Sequence, residues 1–307
     1  MPGRPNFFIV GAPKSGTTSL SVYLGQHPNV FFCSPKEPYY FASDFPRHRV
    51  ADNLTDYLSL FSAATAEHQA IGEGSVGYMY SADAIPRIME FNRRAKLIVM
   101  LRSPIDIAHA MHSQALFDAD EDVEDFRTAW NLQSEREHGR KVPQNCRNVK
   151  VVLYKKLASI GEQLERLYKL VPRQQVSVVA LDDFIASPQT VYENLCEFLE
   201  IPPDGRTEFV PVNESKRNRF RSLGRFAGRP PQYLVRGAQF VKKMLGIERL
   251  GIIDAIQRLN VVKCRRPALT PDFHAQLADE FRDDVAKLSA VLQRDFSAWV
   301  RVRSRAA

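Results

Sequence analysis

Short apolar runs alternate with helical patterns along the first two-thirds of the chain. Strong strand patterns lie at residues 7–10, 96–101 and 175–181, and a weaker one lies at residues 70–73. A polar loop and then a helical segment follow each of the strong runs. Apolar strands that alternate with helices are typical of a parallel sheet whose two faces are covered by helices.

Apolar residues at three- and four-residue intervals predict the helices of this fold. They indicate helices over residues 19–26, 105–117, 155–170 and 188–200. A further amphipathic pattern, over residues 271–300, predicts one long C-terminal helix. We therefore expect an α/β protein with a central parallel sheet and a helical C-terminal extension.

Length and composition are those of a globular protein. The chain has 307 residues, of which 44% are hydrophobic and 25% charged, and this excludes a disordered chain, collagen or a coiled-coil rod. We expect a single domain, residues 1–307. Its parts are an α/β core (1–201), a basic lid or linker (202–265) and a C-terminal helix packed on the core (266–307).

The positive net charge of the chain favours an anionic partner. The formal net charge is +7, and residues 214–243 hold nine Lys or Arg against one acidic residue. A basic balance favours a nucleotide, a phosphate, an acidic glycan, a membrane surface or a nucleic acid, and charge alone does not choose among them. Six acidic residues between 118 and 125 are interpreted as a solvated loop or helix start, because their spacing matches no calcium loop.

The cysteine pattern and the N-terminal segment indicate the cellular compartment in which the protein is expected. The four cysteines are scattered without a CxxC pair, which argues against a zinc ribbon or a redox dithiol and favours a reducing compartment. The apolar run at residues 7–10 is too short for the hydrophobic region of a signal peptide. We therefore expect a cytoplasmic protein without a transmembrane segment, for which peripheral membrane contact stays open.

The segment from Gly11 to Thr18, GAPKSGTT, follows the first predicted strand and opens the first predicted helix. Free backbone N–H groups and the positive end of the helix then point at one place, which suits a phosphate. Lys14 adds a cation within the loop, and Thr17 and Thr18 add hydroxyl donors. The segment thus predicts a P-loop-like anion site.

The loop differs from the Walker A motif in the place of its lysine. Lys14 precedes Gly16, whereas a Walker A lysine follows the second glycine. The next strand ends in Arg102, where an NTPase would carry an aspartate that helps to hold Mg²⁺. A metal-free transferase that uses a nucleotide is favoured over a P-loop kinase.

At this point the sequence resembles sulfotransferases that use 3′-phosphoadenosine 5′-phosphosulfate (PAPS), in particular the branch of Golgi heparan-sulfate-type and bacterial enzymes. GAPKSGTT is similar to the family's 5′-phosphosulfate loop. The resemblance spans nearly the whole chain, since further blocks follow in the family's order. These are HPNV (27–30), KEPYYF (36–41), GEGSVGY (72–78), LRSP (101–104) and RDFSAW (294–299).

The resemblance implies in-line transfer of a sulfuryl group from PAPS to an acceptor hydroxyl, without a metal. Lys14 is implied as the catalytic cation and Glu37 as the catalytic base. The implied nucleotide contacts are Lys14, Ser15, Gly16, Thr17, Thr18, Arg102, Ser103, Lys216, Arg265 and Arg266. The implied acceptor contacts are Glu37, Tyr40, Ser75, Tyr78 and His109.

Two positions depart from the family's pattern. Ala110 stands where a serine usually provides a second contact to the 3′-phosphate, and Gly74 stands where several heparan-type relatives carry a lysine. What replaces the serine is open, with Ser103, Ser113 and a residue of the basic segment (214–243) as candidates. The absence of the lysine argues against assuming the substrate of those relatives.

Several alternatives stay open. Glu73, His109 and His112 compete with Glu37 as the base. The acceptor is a hydroxyl of a glycan, a lipid or a small natural product, and the oligomeric state is unknown. A basic protein that binds nucleic acid or an anionic surface through residues 214–243 is the alternative from another class, although we expect no nucleic-acid partner.

Overall fold

The computed structural model describes residues 3–210, 216–218, 261–263 and 266–301. The chain divides into two compact units. The first contains the described residues of 1–108, 155–213 and 269–307, and the second contains 109–154 and the described residues of 214–268. The single domain with three parts stays a prediction, and much of the expected basic lid lies outside the described residues.

A five-stranded parallel sheet forms the centre of the first unit, with strand order β2-β3-β1-β4-β5. Phe7 of β1 is paired with Gly72 of β3 on one side and with Lys96 of β4 on the other. The five strands are β1 (Phe7–Gly11), β2 (Val30–Phe32), β3 (Ala70–Glu73), β4 (Lys96–Leu101) and β5 (Val176–Ala180).

Helices alternate with the strands along the chain, as the alternation of apolar runs and helical patterns predicts. The helices are α1 (Thr17–Gly25), α2 (Leu54–Ser59), α3 (Ala84–Phe91), α4 (Pro104–Asp118), α5 (Phe126–Asn131), α6 (Gln133–Glu137), α7 (Tyr154–Ala158), α8 (Ile160–Leu170), α9 (Leu181–Ala186), α10 (Pro188–Leu199), α11 (Pro271–Glu280) and α12 (Arg282–Leu292). Short 3₁₀ turns lie at Pro46–His48, Val149–Val152, Arg173–Gln175 and Ser297–Val300.

The central strands are buried on both faces, which explains why they are continuous apolar runs rather than alternating ones. Every residue of β1 is buried, and in β4 only Lys96 is partly exposed. The predicted α/β fold with a central parallel sheet and a helical C-terminal part is confirmed. Among the described residues, no helix is long and apolar enough to cross a membrane.

The predicted helix over residues 155–170 is wrong in one respect, because it is two helices that meet at Ser159. The Ser159 backbone is not helical, and α8 begins at the next residue. The Asp284 carboxylate accepts hydrogen bonds from the N–H groups of Gly161 (2.9 Å) and Glu162 (2.8 Å). A new helix start is thus stabilised by a side chain that is distant in sequence.

The single C-terminal helix predicted over residues 271–300 is also wrong. The segment forms α11, α12 and a 3₁₀ turn, with breaks at Phe281 and Gln293. Phe281 is fully buried, and Gln293 ends α12 in the left-handed conformation. The apolar periodicity continues through both breaks because α11, α12 and the connecting Phe281 bury side chains in the same unit, as does Phe296 after the second break.

The acidic segment of the second unit is in part the solvated helix start that its composition suggests, since the exposed Asp125 caps α5, but two of its carboxylates are buried. Glu121 is buried and accepts two hydrogen bonds from the buried Arg136 guanidinium, at 2.7 and 2.8 Å. Asp120 is buried against Arg147, to which it is joined at 2.5 Å. Buried carboxylates need such partners, and both arginines come from later in the chain. The same unit contains the antiparallel pair β6 (Lys216–Asn218) and β7 (Val261–Lys263).

Close packing of α12 on α8 gives a test of the fold. A Cβ atom on Gly161 would lie 2.1 Å from the Asp284 carbonyl oxygen and 3.0 Å from the Leu288 nitrogen. We expect Gly161→Ala to lower the free energy of unfolding by about 1–3 kcal/mol, because the two helix backbones must separate. Thermal and urea unfolding measure this, with exposed Glu162→Ala as the control. Equal stability of Gly161→Ala and wild type would contradict the packing.

Candidate active site

The β1–α1 loop, residues 12–16, joins the buried end of β1 to the first turn of α1. Lys14 and Gly16 adopt positive φ angles of 60° and 86°. A Cβ atom on Gly16 would lie 2.8 Å from Cδ1 of Leu181, so both the backbone angle and the close contact require glycine here. Backbone that alternates in this way turns successive N–H groups toward one concave place, which suits an anion.

Side chains of the loop differ in exposure. Lys14 is exposed, Thr18 is half-buried, and Ser15 and Thr17 are buried. The Ser15 hydroxyl donates to the Pro13 carbonyl oxygen at 3.3 Å, within the loop itself. The first turn of α1 contains no acidic residue, so no carboxylate offsets the positive end of the helix. The loop therefore offers an exposed ammonium group and a helix N-terminus to an anion.

Arg102 fixes this loop from the neighbouring strand. It follows β4, which is paired in parallel with β1, and its Nη1 donates to the Lys14 carbonyl oxygen at 3.0 Å. Its Nε and Nη2 contact the Asp106 carboxylate at 3.3 and 3.2 Å. The guanidinium is therefore oriented, and its side chain remains 24% exposed. The neighbouring Ser103 hydroxyl donates to the Trp299 carbonyl oxygen at 3.4 Å.

The C-terminal 3₁₀ turn is attached near the same loop. The Trp299 indole N–H donates to Asp182 at 3.0 Å, and Arg294 makes an ion pair with Asp183. Both aspartates lie in the first turn of α9, which also carries the Leu181 side chain that contacts Gly16. The RDFSAW block thus packs beside the β1–α1 loop, which its position in the sequence does not reveal.

Lys36 and Glu37 lie in the loop that follows β2. The Lys36 ammonium is 3.0 Å from Glu37 Oε1 and donates to the Gly74 carbonyl oxygen at 3.2 Å. The Gly74 N–H donates in return to the Lys36 carbonyl oxygen at 3.1 Å. A Cβ on Gly74 would lie 3.4 Å from Lys36 Cε. The Lys36 side chain is therefore held against the backbone of Gly74.

Glu73, at the end of β3, is completely buried. Its Oε1 accepts hydrogen bonds from the hydroxyls of Tyr57 (2.9 Å) and Tyr78 (2.8 Å), and its Oε2 accepts one from Ser75 (2.6 Å). Burial raises the pKa of Glu73 from 4.5 to about 7, although the three hydroxyls act in the opposite direction. Both oxygens face protein hydroxyls, so this conformation leaves neither oxygen open to an acceptor.

The predicted acceptor contacts around Glu37 occupy different environments. Tyr40 is partly exposed and stacks on Tyr57, with ring centroids 4.4 Å apart. Ser75 and Tyr78 are fully buried, and their hydroxyls are engaged with Glu73. Contact of these two side chains with an acceptor stays a prediction that would need a rearrangement.

Parallel strands place the two loops at the same edge of the sheet. The β1–α1 loop leaves the carboxyl end of β1, and residues 74–79 leave the carboxyl end of the adjacent β3. The Met79 N–H donates to the Val10 carbonyl oxygen at 2.8 Å, which ties the two segments together. Ligands of α/β proteins bind at this edge of the sheet.

Other predicted residues lie in the second unit or beyond the described part. His109 stacks on Phe126 with centroids 5.2 Å apart. His112 is buried and bonded to the Val123 carbonyl oxygen at 2.8 Å, and burial lowers its pKa. Lys216 lies in β6, Arg266 is half-buried in the second unit, and Arg265 lies outside the described residues. Their roles stay predictions.

Asp106 and Lys36 are two residues that the sequence interpretation overlooked. Asp106 lies four residues after Arg102 on a predicted helix, a spacing that indicates an ion pair. Lys36 precedes Glu37 in the same motif, but its contact with Gly74 depends on the pairing of β2 with β3. Within the described ranges, no cluster of three or more His, Cys, Asp or Glu side chains is arranged to hold a metal.

Comparison with known proteins decides the family. The model of the sulfotransferase domain matches residues 4–222, which include the β1–α1 loop, Glu37 and Arg102. The chain belongs to the sulfotransferase family. It is thus a transferase, and the resemblance found in its sequence motifs is confirmed.

A solved structure and several curated proteins are similar to this sulfotransferase. A sulfotransferase from Alicyclobacillus acidocaldarius superposes with a TM-score of 0.69 at 26% identity, over 97% of this chain and 99% of that one. Carbohydrate sulfotransferase 15 of Mus musculus is 25% identical over 72% of this chain and 49% of its own length. Membrane-associated sulfotransferase kil1 of Dictyostelium discoideum is 36% identical over 33% of this chain and 21% of its own. This chain therefore spans half or less of these curated relatives.

The buried Glu73 carboxyl predicts a pH dependence of stability. Its pKa is raised to about 7 in the folded protein, so between pH 4.5 and 7 the folded state keeps a proton that the unfolded chain releases. Stability should therefore decrease as the pH rises through this window. Replacement by the neutral glutamine removes this dependence, so the difference in unfolding free energy between Glu73→Gln and wild type should change by about 3 kcal/mol across the window. Urea unfolding at pH 4.5, 6 and 8 measures this difference. A difference in unfolding free energy that stays the same at all three pH values would contradict the raised pKa.

Proposed function

We propose that this sulfotransferase moves the sulfuryl group of PAPS to a hydroxyl of an acceptor by in-line transfer. The observation that carries the proposal is the β1–α1 loop, whose exposed Lys14 and helix N-terminus are fixed by Arg102 from the adjacent strand. A nucleotide with phosphates at its 5′ and 3′ positions needs two cationic contacts, and Lys14 and Arg102 supply them at one sheet edge.

The residues present fit the donor. The backbone of residues 14–18 and the Thr17 and Thr18 hydroxyls would hold the 5′-phosphosulfate, because the positive φ angles of Lys14 and Gly16 turn successive N–H groups toward one place. The Arg102 fork and the Ser103 hydroxyl would hold the 3′-phosphate. Ser103 takes this role in the absence of a serine at Ala110, which is buried.

PAPS supplies a sulfuryl group that is bonded to a good leaving group. During transfer a bond forms between the acceptor oxygen and sulfur, and the bond between sulfur and the phosphate oxygen breaks. Negative charge grows on that phosphate oxygen, where the Lys14 ammonium stabilises it. The proton of the acceptor hydroxyl passes to the Glu37 carboxylate.

Glu37 is the better base of the two carboxylates near the end of β3. Its side chain is 37% exposed, whereas both oxygens of Glu73 are buried under three hydroxyls. The Lys36 ammonium at 3.0 Å orients the Glu37 carboxylate and keeps a cation beside it. We infer that Lys36 supplies part of the positive charge that relatives obtain from a lysine at the position of Gly74.

The acceptor is proposed as a hydroxyl of a glycan, a lipid or a small natural product. Relatives named for carbohydrate and heparan sulfate support the glycan. Tyr40, a partly exposed aromatic residue three positions after Glu37, is proposed to contact the acceptor. A cytoplasmic location also remains part of the proposal.

Lys14 gives the first test of the mechanism. We expect Lys14→Ala to lower kcat by about 10²- to 10³-fold with PAPS, because the charge on the leaving oxygen is no longer stabilised. Mass spectrometry of acceptor mixtures incubated with PAPS measures the gain of SO₃. Lys169→Ala removes an exposed lysine on α8 and serves as the control, with activity equal to wild type. Equal turnover of Lys14→Ala and wild type would contradict the assignment.

Glu37 gives the second test. Glu37→Gln keeps the size of the side chain but removes its basicity, so we expect kcat to fall at least about 10²-fold. The affinity for adenosine 3′,5′-bisphosphate, measured by calorimetry, should change little. Exposed Glu67→Gln is the matched control. Full activity of Glu37→Gln would remove Glu37 from the mechanism and favour the histidines of α4.

A further inference from the structure

Glu73 organises a set of hydroxyls rather than facing solvent. The hydroxyl groups of Tyr57, Ser75 and Tyr78 each donate a hydrogen bond to the Glu73 carboxylate, at distances of 2.6 to 2.9 Å. The lone pairs of these oxygens are therefore directed away from Glu73 and are available to other donors. The Glu73 carboxylate thus orients each hydroxyl so that its oxygen can accept a hydrogen bond from another group.

Two of these hydroxyls accept hydrogen bonds from the loop that carries Glu37. Ser75 Oγ accepts the backbone N–H of Tyr39 at 3.0 Å, and Tyr78 Oη accepts the backbone N–H of Phe41 at 3.3 Å. The Tyr57 hydroxyl donates to the same carboxylate but, among the described residues, makes no hydrogen bond to this loop. The three partners are therefore not equivalent.

We propose that Glu73 is a positioning residue, which holds the Glu37 loop (residues 36–41) through the Ser75 and Tyr78 hydroxyls so that the Glu37 carboxylate faces the acceptor. This inference rests on the proposed function, because it takes Glu37 as the base. Misplacement of a catalytic group by about 1 Å costs on the order of 10²-fold in rate, so a loop tethered at Tyr39 and Phe41 has a direct effect on turnover.

Other contacts hold the loop at Lys36, Pro38 and Phe41, and the two hydroxyls add a hydrogen bond to the N–H groups of Tyr39 and Phe41. The Gly74 N–H donates to the Lys36 carbonyl oxygen at 3.1 Å, and Arg87 donates to the Phe41 carbonyl oxygen at 3.0 Å. The Val50 N–H donates to the Pro38 carbonyl oxygen at 2.9 Å. Loss of the Tyr78 hydroxyl would remove the hydrogen bond to the N–H of the buried Phe41, and a shift of the loop would relieve this cost.

A pair of tyrosine variants separates positioning from stability. Tyr78→Phe and Tyr57→Phe each remove one hydroxyl from the same carboxylate oxygen, and both rings are fully buried. Only Tyr78→Phe also removes an acceptor from the Glu37 loop. Tyr57→Phe keeps the ring that stacks on Tyr40, so it is the matched control.

We expect Tyr78→Phe to lower kcat by at least about tenfold while the affinity for adenosine 3′,5′-bisphosphate stays within about twofold. Tyr57→Phe should keep kcat within about threefold, although both variants lose comparable stability. Glu73→Gln should also lower kcat, but by less than Tyr78→Phe, since its amide N–H cannot accept the Ser75 proton and the Ser75 hydroxyl must reorient, while the Tyr78 hydroxyl keeps its acceptor. Equal kcat losses in the two tyrosine variants would overturn the proposal.

Hydrogen exchange gives a readout that does not depend on turnover. In Tyr78→Phe, amides in a peptide covering residues 38–42 should exchange at least about tenfold faster than in wild type, and in Tyr57→Phe they should not. Unchanged exchange in Tyr78→Phe would overturn the positioning role even in a protein inactive with PAPS. Faster exchange together with a wild-type protein that neither binds nor uses PAPS would keep the tether and refute the proposed function instead.

Discussion

Parallel pairing of β1 with β3 and β4 is the constraint on which the candidate site depends. It places the ends of three strands at one edge, so that Lys14, Glu73 and Arg102 follow neighbouring strands although they lie far apart in sequence. Two hydrogen bonds then join the segments across this edge, from Arg102 to the Lys14 carbonyl and from Met79 to the Val10 carbonyl. The site is therefore built by the sheet before any ligand arrives.

A second level of organisation lies beneath that edge. A carboxylate without solvent is costly, and Glu73 is tolerated there because three hydroxyls donate to it. The same arrangement directs the Ser75 and Tyr78 oxygens toward backbone N–H groups of the Glu37 loop. The buried Glu73 carboxylate and the backbone of the Glu37 loop thus belong to one hydrogen-bond network, so a substitution at Glu73 is expected to change the position of the loop.

The sequence was sufficient for features that depend on local pattern. Buried strands such as β4 and the strand–loop–helix around Lys14 follow from apolar runs, glycines and the helix start. Features that depend on distant partners were not predictable: the break at Ser159 is stabilised by Asp284, and the buried Asp120 and Glu121 are paired with arginines from later in the chain. For the same reason, the motifs pointed to Glu37, but the contact of Lys36 with Gly74 needed the pairing of β2 with β3.

A crystal structure of the protein with adenosine 3′,5′-bisphosphate tests the central claim most directly. We expect the 5′-phosphate on the backbone N–H groups of residues 14–18, with the Lys14 ammonium at the oxygen that would carry the sulfuryl group and the Arg102 guanidinium at the 3′-phosphate. A nucleotide bound elsewhere, with the β1–α1 loop empty at saturating ligand, would contradict it.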